Sequence, residues 1–126
     1  MVKVMVVEDE GLLAMAMCDD LEQAGYHVCR PVATGEQAIQ SIAGELPGIV
    51  LMDIRLAGAL NGVEAVQQVR AFSQVPVIFM TGYPDKDTQD QAMQLQPAAY
   101  LVKPVELYDL EPLFESLLRQ VRRKKA

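Results

Sequence analysis

Four apolar runs, VKVMVV, IVLM, VPVIFM and AAYLV, stop abruptly at polar residues: Glu8 with Asp9, Asp53, Thr81, and Lys103 followed by Pro104. Short β-branched runs without polar alternation mark parallel strands buried on both faces. Strands are therefore predicted near 2–7, 49–53, 76–81 and 98–102, with a further one near 27–32. The segments between them have helical spacing. Leu13, Met17, Leu21 and Ala24 give a first helix one apolar face, and Gly25 ends it. Thr34 with Gln37, and Asn61 with Glu64, are capping pairs that open the second and third helices. The regular exchange of strand and helix predicts a doubly wound α/β fold with right-handed crossovers.

The last two helices differ in character. The fourth, near 86–95, is polar: Gln89, Asp90, Gln91 and Gln94 leave only Ala92, Met93 and Leu95 as anchors, which implies low local stability. The fifth carries Leu110, Leu113, Leu117 and Val121 on an apolar stripe. Pro112 has no amide hydrogen and fits best in a first turn, so this helix is expected to begin close to Asp109.

Composition narrows the function by exclusion. A chain of 126 residues has room for one domain, expected to span 1–126, with a single sizeable core. No apolar run reaches the roughly 18 residues of a membrane span, and the start VKVMVVEDE lacks a secretory pattern, so a cytoplasmic protein with no membrane association is expected. Cys18 and Cys29 are too few for a disulfide framework or a zinc site and read as small buried hydrophobes. The single His27 makes neither a metal cluster nor a nucleophile and is expected at the start of a strand. A net charge of −6 argues against direct nucleic-acid binding. Arg119, Arg122, Arg123, Lys124 and Lys125 crowd the end, where cations complement a helix dipole; a basic nucleic-acid tail or a linker stub is the alternative.

The polar residues at the strand ends carry the chemistry. Parallel strands bring them to one edge, where Glu8, Asp9 and Asp53 repel one another by about 4 kcal/mol per pair at ~4 Å and an effective dielectric of ~20. Lys103 and a hard divalent cation supply the compensation; Mg²⁺ takes a few carboxylate and carbonyl oxygens and shares its shell with phosphate. Phosphoryl transfer requires a nucleophile in line, a metal on some phosphoryl oxygens and donors on the rest. Asp53, with no second acid beside it, is the candidate nucleophile for an acyl phosphate; Thr81 and Lys103 are the candidate donors. Taken singly, each of these residues reads as a cap, a strand residue or a surface charge. Together, in chain order, they define a phosphoryl-accepting site.

On these residues the chain resembles, over essentially its whole length, the receiver domain of two-component response regulators. That family has an acidic pair after the first strand, a phosphorylated Asp at the end of the third, Thr or Ser at the end of the fourth and Lys-Pro after the fifth. The resemblance implies a flavodoxin-like sheet of five parallel strands, order 2-1-3-4-5, with five helices and the site where strands 1 and 3 lie side by side. It implies phosphorylation of Asp53, a Mg²⁺ site of Asp9, Asp53 and the Arg55 carbonyl with Glu8 holding metal-bound water, and a cis bond before Pro104. The implied switch pair is Thr81 and Tyr100, with Tyr83 as an alternative moving aromatic, and the surface of the fourth helix, fifth strand and fifth helix as the readout. The implied partners are a sensor histidine kinase or histidine phosphotransfer protein and a downstream protein target, with a monomer or a phosphorylation-dependent dimer as the assembly.

Two segments depart from the common pattern. The loop IRLAGALNG has Ala57 where a Pro is usual and its Gly nine residues after Asp53, as Gly62, so it is one residue longer. FMTGYP resembles a mostly stand-alone subgroup with a Phe-Ala-Thr-Gly-Tyr motif, and Gly82 is able to give the following loop positive φ. Arg55 and Tyr83 lie two residues beyond Asp53 and Thr81, where side chains shield or admit attacking water and so tune phosphoryl lifetime. Beyond its own phosphorylation and dephosphorylation, no enzymatic turnover is expected. A haloacid-dehalogenase-like phosphatase is a rival, but that family places a second Asp where this chain has Arg55. A pseudo-receiver binding module is the other rival.

Overall fold

The computed structural model describes residues 2–125, with side-chain environments for 2–120. Strands and helices alternate: β1 Lys3–Val7, α1 Gly11–Gln23, β2 His27–Val28, α2 Gly35–Glu45, β3 Ile49–Asp53, α3 Gly62–Val69, β4 Val77–Thr81, α4 Lys86–Met93, β5 Ala99–Val102 and α5 Leu107–Lys125. All strand pairs are parallel, in the order β2-β1-β3-β4-β5. This is the doubly wound fold expected from the alternating pattern, in the flavodoxin-like order that the family resemblance implies.

The unbroken apolar strands follow from burial on both sides. Successive side chains of a strand point to opposite faces. Met5, Val7, Val50, Met52, Val77 and Phe79 meet Ala38, Ile42, Val63, Val66 and Val69 on one face, beneath α2 and α3. Val4, Val6, Ile49, Leu51, Ile78 and Met80 meet Cys18, Leu21, Leu110 and Phe114 on the other, beneath α1 and α5. Phe79 and Phe114, one on each face, are fully buried, and burial of such a side chain stabilises by about 1.5–3 kcal/mol.

Local signals act as predicted at several boundaries. Thr34 Oγ1 accepts from the Gln37 amide, and the Gln37 side chain accepts in turn from the Ala33 amide. Asn61 and Glu64 form a reciprocal capping box, with bonds of 2.8 and 2.9 Å. Gly25 takes φ +97° just beyond α1. His27 opens β2, and Cys18 and Cys29 are free and buried.

Four expectations need correction. The core face of α1 is Ala14, Cys18 and Leu21, with Met17 at its margin, while Leu13 is 47% exposed and Ala24 lies at the surface. Strand β2 is shorter than 27–32: Cys29 and Val32 still donate to Val4 and Val6 carbonyls, but Pro31 interrupts the ladder because it has no amide hydrogen. Helix α5 starts at Leu107, two residues early, with Asp109 accepting from the Glu106 amide as a cap, so Pro112 falls in the second turn. In α4, Met93 is exposed and only Ala92 is buried, with Leu95 packed against the core beyond the helix. The side chains of Val121, Arg122, Arg123, Lys124 and Lys125 lie outside the described residues.

Candidate functional site

Parallel pairing sets the site. Val7 aligns with Met52 and Asp53 with Met80, so the carboxyl ends of β1, β3 and β4 form one ledge. The Lys103 amide donates to the Thr81 carbonyl, which holds the end of β5 at the same level. The Lys103–Pro104 peptide is cis.

Four of the five predicted strand-end groups converge directly, and the fifth lies on the adjacent strand end. Oxygen atoms of Glu8, Asp9 and Asp53 all lie within 4.8 Å of one another. Glu8 and Asp53 are buried, Asp9 is exposed, and Thr81 is buried at the end of β4. The Lys103 ammonium bridges the cluster, donating to Glu8 Oε1 at 2.7 Å and Asp53 Oδ2 at 2.8 Å. Glu8 is thus a direct partner of the lysine as well as a member of the acidic cup.

Protonation follows from these contacts. Although Asp9 lies at the surface, partial loss of solvation raises its carboxyl above the ordinary range, and the neighbouring Glu8 adds to the rise. Burial alone lowers the Lys103 ammonium, but hydrogen bonds to Asp53 and Glu8 outweigh it and the net shift is upward. Lys103 therefore stays charged at neutral pH. The cup is a set of hard oxygen donors around a small space, which suits Mg²⁺.

The walls are as specific as the floor. Gly62 opens α3 against the end of β3, and a Cβ there collides with the Asp53 carbonyl oxygen; no side chain fits. Its amide donates to the Ile54 carbonyl at 2.8 Å and closes the loop between β3 and α3. That loop leans on α2: Ala57 pairs with Thr34, and the Leu60 amide donates to Glu36 Oε1 at 3.0 Å. Glu36 escaped the sequence reading because its partner is a loop amide 24 residues away, which no local pattern encodes. Gly82 does not use its freedom to take positive φ, whereas Gly58 in the loop between β3 and α3 does, at +91°.

The two aromatic candidates occupy different environments. Tyr100 packs against the core, and its hydroxyl is buried with no hydrogen-bond partner among the described residues. Burial raises its pKa, while the nearby Thr81 side chain works in the opposite direction. Tyr83 is 66% exposed, and its ring lies 4.2 Å from the Arg55 guanidinium carbon. Beside the cup, a groove of about 490 Å³ runs between α1 and the start of α5, bordered by Glu8, Leu13, Met17, Lys103 and Leu107. Leu13, which the helical pattern assigned to the core, lines this groove.

A five-stranded parallel sheet with an acidic cup at the carboxyl ends of strands 1 and 3, bridged by a lysine after strand 5, defines the receiver class of α/β proteins. The family model of the response regulator receiver domain matches residues 4–115, and the chain belongs to that family. It is similar to the transcriptional regulatory protein PdtaR of Mycobacterium tuberculosis H37Rv, 27% identical over 95% of this chain and 58% of that protein. It is also similar to the phyllosphere-induced regulator PhyR of Methylorubrum extorquens AM1, 31% identical over 98% of this chain and 47% of that one. The chain thus spans about half the length of these curated relatives. Among solved structures, the signal receiver domain of a modulated diguanylate cyclase from Desulfovibrio desulfuricans G20 superposes with a TM-score of 0.87 at 34% identity, covering 97% of both chains. A CheY-like receiver domain protein from Methanospirillum hungatei JF-1 gives 0.88 at 26% identity, covering 98% of both. No helix among the described residues is long and apolar enough to cross a membrane.

Proposed function

We propose that residues 1–126 act as one phosphoacceptor unit, in which Asp53 takes a phosphoryl group from a phosphohistidine on a sensor histidine kinase or histidine phosphotransfer protein. The observation that carries this reading is the Lys103 ammonium held 2.8 Å from a buried Asp53 inside a three-carboxylate cup. A structural salt bridge needs one carboxylate; a second and a third within reach create a negative charge excess that a divalent cation offsets, and the cation together with Lys103 can then accept the oxygens of an incoming phosphoryl group.

An Asp53 oxygen attacks phosphorus, the P–N bond to the donor imidazole breaks, and the imidazole leaves with a proton from solvent. Lys103 holds one phosphoryl oxygen and keeps the Asp53 carboxylate oriented. Thr81 supplies a hydroxyl to another. Glu8, Asp9, Asp53 and the Arg55 carbonyl would hold Mg²⁺, which when bound neutralises charge on the transferring group. Phosphorylation then draws Thr81 inward and biases Tyr100, whose buried hydroxyl, without a hydrogen-bond partner among the described residues, is near the Thr81 side chain. The sparsely anchored α4 with β5 and α5 carries the change to a downstream protein. The exposed Leu12, Leu13 and Met15 on α1 offer the donor protein an apolar seat next to the cup. The FMTGYP segment supports membership of the Phe-Ala-Thr-Gly-Tyr-like subgroup.

The chain acts as a regulator and not as a turnover enzyme. In place of a second catalytic acid, Arg55 turns its side chain onto Tyr83, which disfavours the phosphatase reading. The test is incubation with acetyl phosphate and Mg²⁺ followed by intact mass measurement. One phosphoryl group is expected on the native chain and none on Asp53→Asn; equal uptake by both would refute the assignment.

A further inference from the structure

The loop between β3 and α3, lengthened between Asp53 and Gly62, is closed at its base by backbone bonds. The Ile54 amide donates to the Met80 carbonyl at 3.1 Å, and the Gly62 amide donates to the Ile54 carbonyl at 2.8 Å. These bonds fix the two ends of the loop and leave 55–61 to be held from elsewhere. The start of α2 holds them. Ala57 forms a bridge with Thr34, the N-cap residue, and Gly35 lies so close that a Cβ there would fall 2.9 Å from Leu60 Cβ. Glu36 makes the polar contacts: Oε1 accepts from the Leu60 amide at 3.0 Å, and Oε2 would lie 2.7 Å from a Cβ on Gly58. Gly58 takes φ +91°, so the loop bends directly against this carboxylate at a residue suited to the bend. A helix dipole favours an acid in the first turn but asks nothing of its direction; here both carboxylate oxygens meet the neighbouring loop.

We propose that Glu36 is a positioning residue for the cup: it holds the lengthened loop so that the Arg55 carbonyl is fixed for a divalent cation, and α2 thereby sets the affinity of the site for Mg²⁺. This rests on the phosphoacceptor reading, in which that carbonyl would join Asp9 and Asp53 as a ligand, and adds a residue that touches neither cation nor phosphoryl group. Asp9 and Asp53 stand at strand ends, whereas Arg55 belongs to an irregular loop, so the place of its carbonyl depends on what the loop is tied to. Arg55 lies between the closed base at Ile54 and the bridge at Ala57, and Glu36 secures the far limb at Leu60. Without Glu36 the loop samples more arrangements, and a cation binds only the fraction with the carbonyl in reach. Groups that orient metal ligands from behind commonly change metal affinity by roughly 10- to 100-fold. Glu36 is exposed and acts through one hydrogen bond, so about three- to ten-fold is expected.

Mg²⁺ titrations followed by amide NMR at about 0.15 M salt compare the native chain with Glu36→Ala and Glu36→Gln. Glu36→Ala should bind Mg²⁺ about three- to ten-fold more weakly. Glu36→Gln keeps an acceptor for the Leu60 amide without the charge and should stay within about two-fold of the native affinity. Equal weakening in both variants would mean that the carboxylate acts by long-range attraction, and native affinity in Glu36→Ala would mean that the loop needs no such support; either overturns the proposal. Phosphorylation by acetyl phosphate, read by intact mass, supplies a second measure. In Glu36→Ala the rate should fall at low Mg²⁺ and return to the native rate at saturating Mg²⁺, and a deficit that persists at saturation overturns a role in cation binding. If the native chain binds Mg²⁺ and takes up a phosphoryl group while all three affinities agree, only the role of Glu36 falls. A native chain that takes up no phosphoryl group overturns both readings at once.

Discussion

Replacement of Lys103 by Met removes the only cation within hydrogen-bonding distance of the cup among the described residues and tests whether charge excess governs the site. The carboxylate oxygens lie within 4.8 Å of one another, a spacing at which each pair repels by about 3.5 kcal/mol for an effective dielectric of ~20. Loss of one partner from a fully buried pair costs about 3–5 kcal/mol. The Lys103 side chain is 24% exposed and Asp9 lies at the surface, so solvent screens part of this and about 2–3 kcal/mol is expected. For a domain of this size that corresponds to a fall in Tm of roughly 8–12 °C in metal-free, low-salt buffer. The same change should strengthen Mg²⁺ binding, because the lysine no longer competes for Glu8 and Asp53. Mg²⁺ at about 100 times its Kd adds ~2.7 kcal/mol, so the metal-dependent gain in Tm should be larger in Lys103→Met than in the native chain at equal Mg²⁺. Differential scanning fluorimetry across a Mg²⁺ series reads both effects. A variant as stable as the native chain without metal, or one with a smaller metal-dependent gain, would refute the charge argument.

Other outcomes follow from individual contacts. Gly62→Ala should lose about 1–3 kcal/mol in urea unfolding because its Cβ meets the Asp53 backbone, which has no freedom to yield. Gly44→Ala, in open space on α2, should gain about 0.5–1 kcal/mol; the same sign for both would refute the close-approach argument. Tyr100→Phe removes a buried hydroxyl that has no partner among the described residues and should be neutral or stabilising by up to about 1 kcal/mol, and a clear loss of Tm would mean that the hydroxyl is paired. Asp85 caps α4 by accepting from the Thr88 amide, which holds its pKa below the ordinary 3.8. A depressed carboxyl stabilises above its unfolded pKa and loses that contribution as pH falls through the folded value. The Thr88 amide resonance should therefore titrate with a midpoint below 3.8, and a midpoint above it would contradict the cap.

The chain on its own determined four of the strands, their alternation with helices and the residues that meet at their ends, while the strand order followed from the family resemblance those residues carry. Those signals are local: an apolar run that stops at a carboxylate, a Thr or Asn three residues before a Gln or Glu, a glycine just past a helix. Hence β3 was legible to the residue, and Glu8, Asp9, Asp53, Thr81 and Lys103 were legible as a set. Tertiary structure decided the rest, because the deciding contacts link residues far apart in sequence. Whether Leu13 faces the core or a groove depends on how α1 is rotated about its axis against the sheet, and helical spacing alone leaves that rotation open by a residue. Pro31 cut β2 short because a ladder bond needed its missing amide hydrogen, and the Glu106–Asp109 cap moved the start of α5. Gly62 is required by a backbone nine residues before it, Glu36 holds a loop on another element, and Arg55 finds Tyr83 only because two loops face each other across the cup. Secondary structure and chemistry are written in short-range pattern, whereas the distances that make a site work exist only once the sheet has formed.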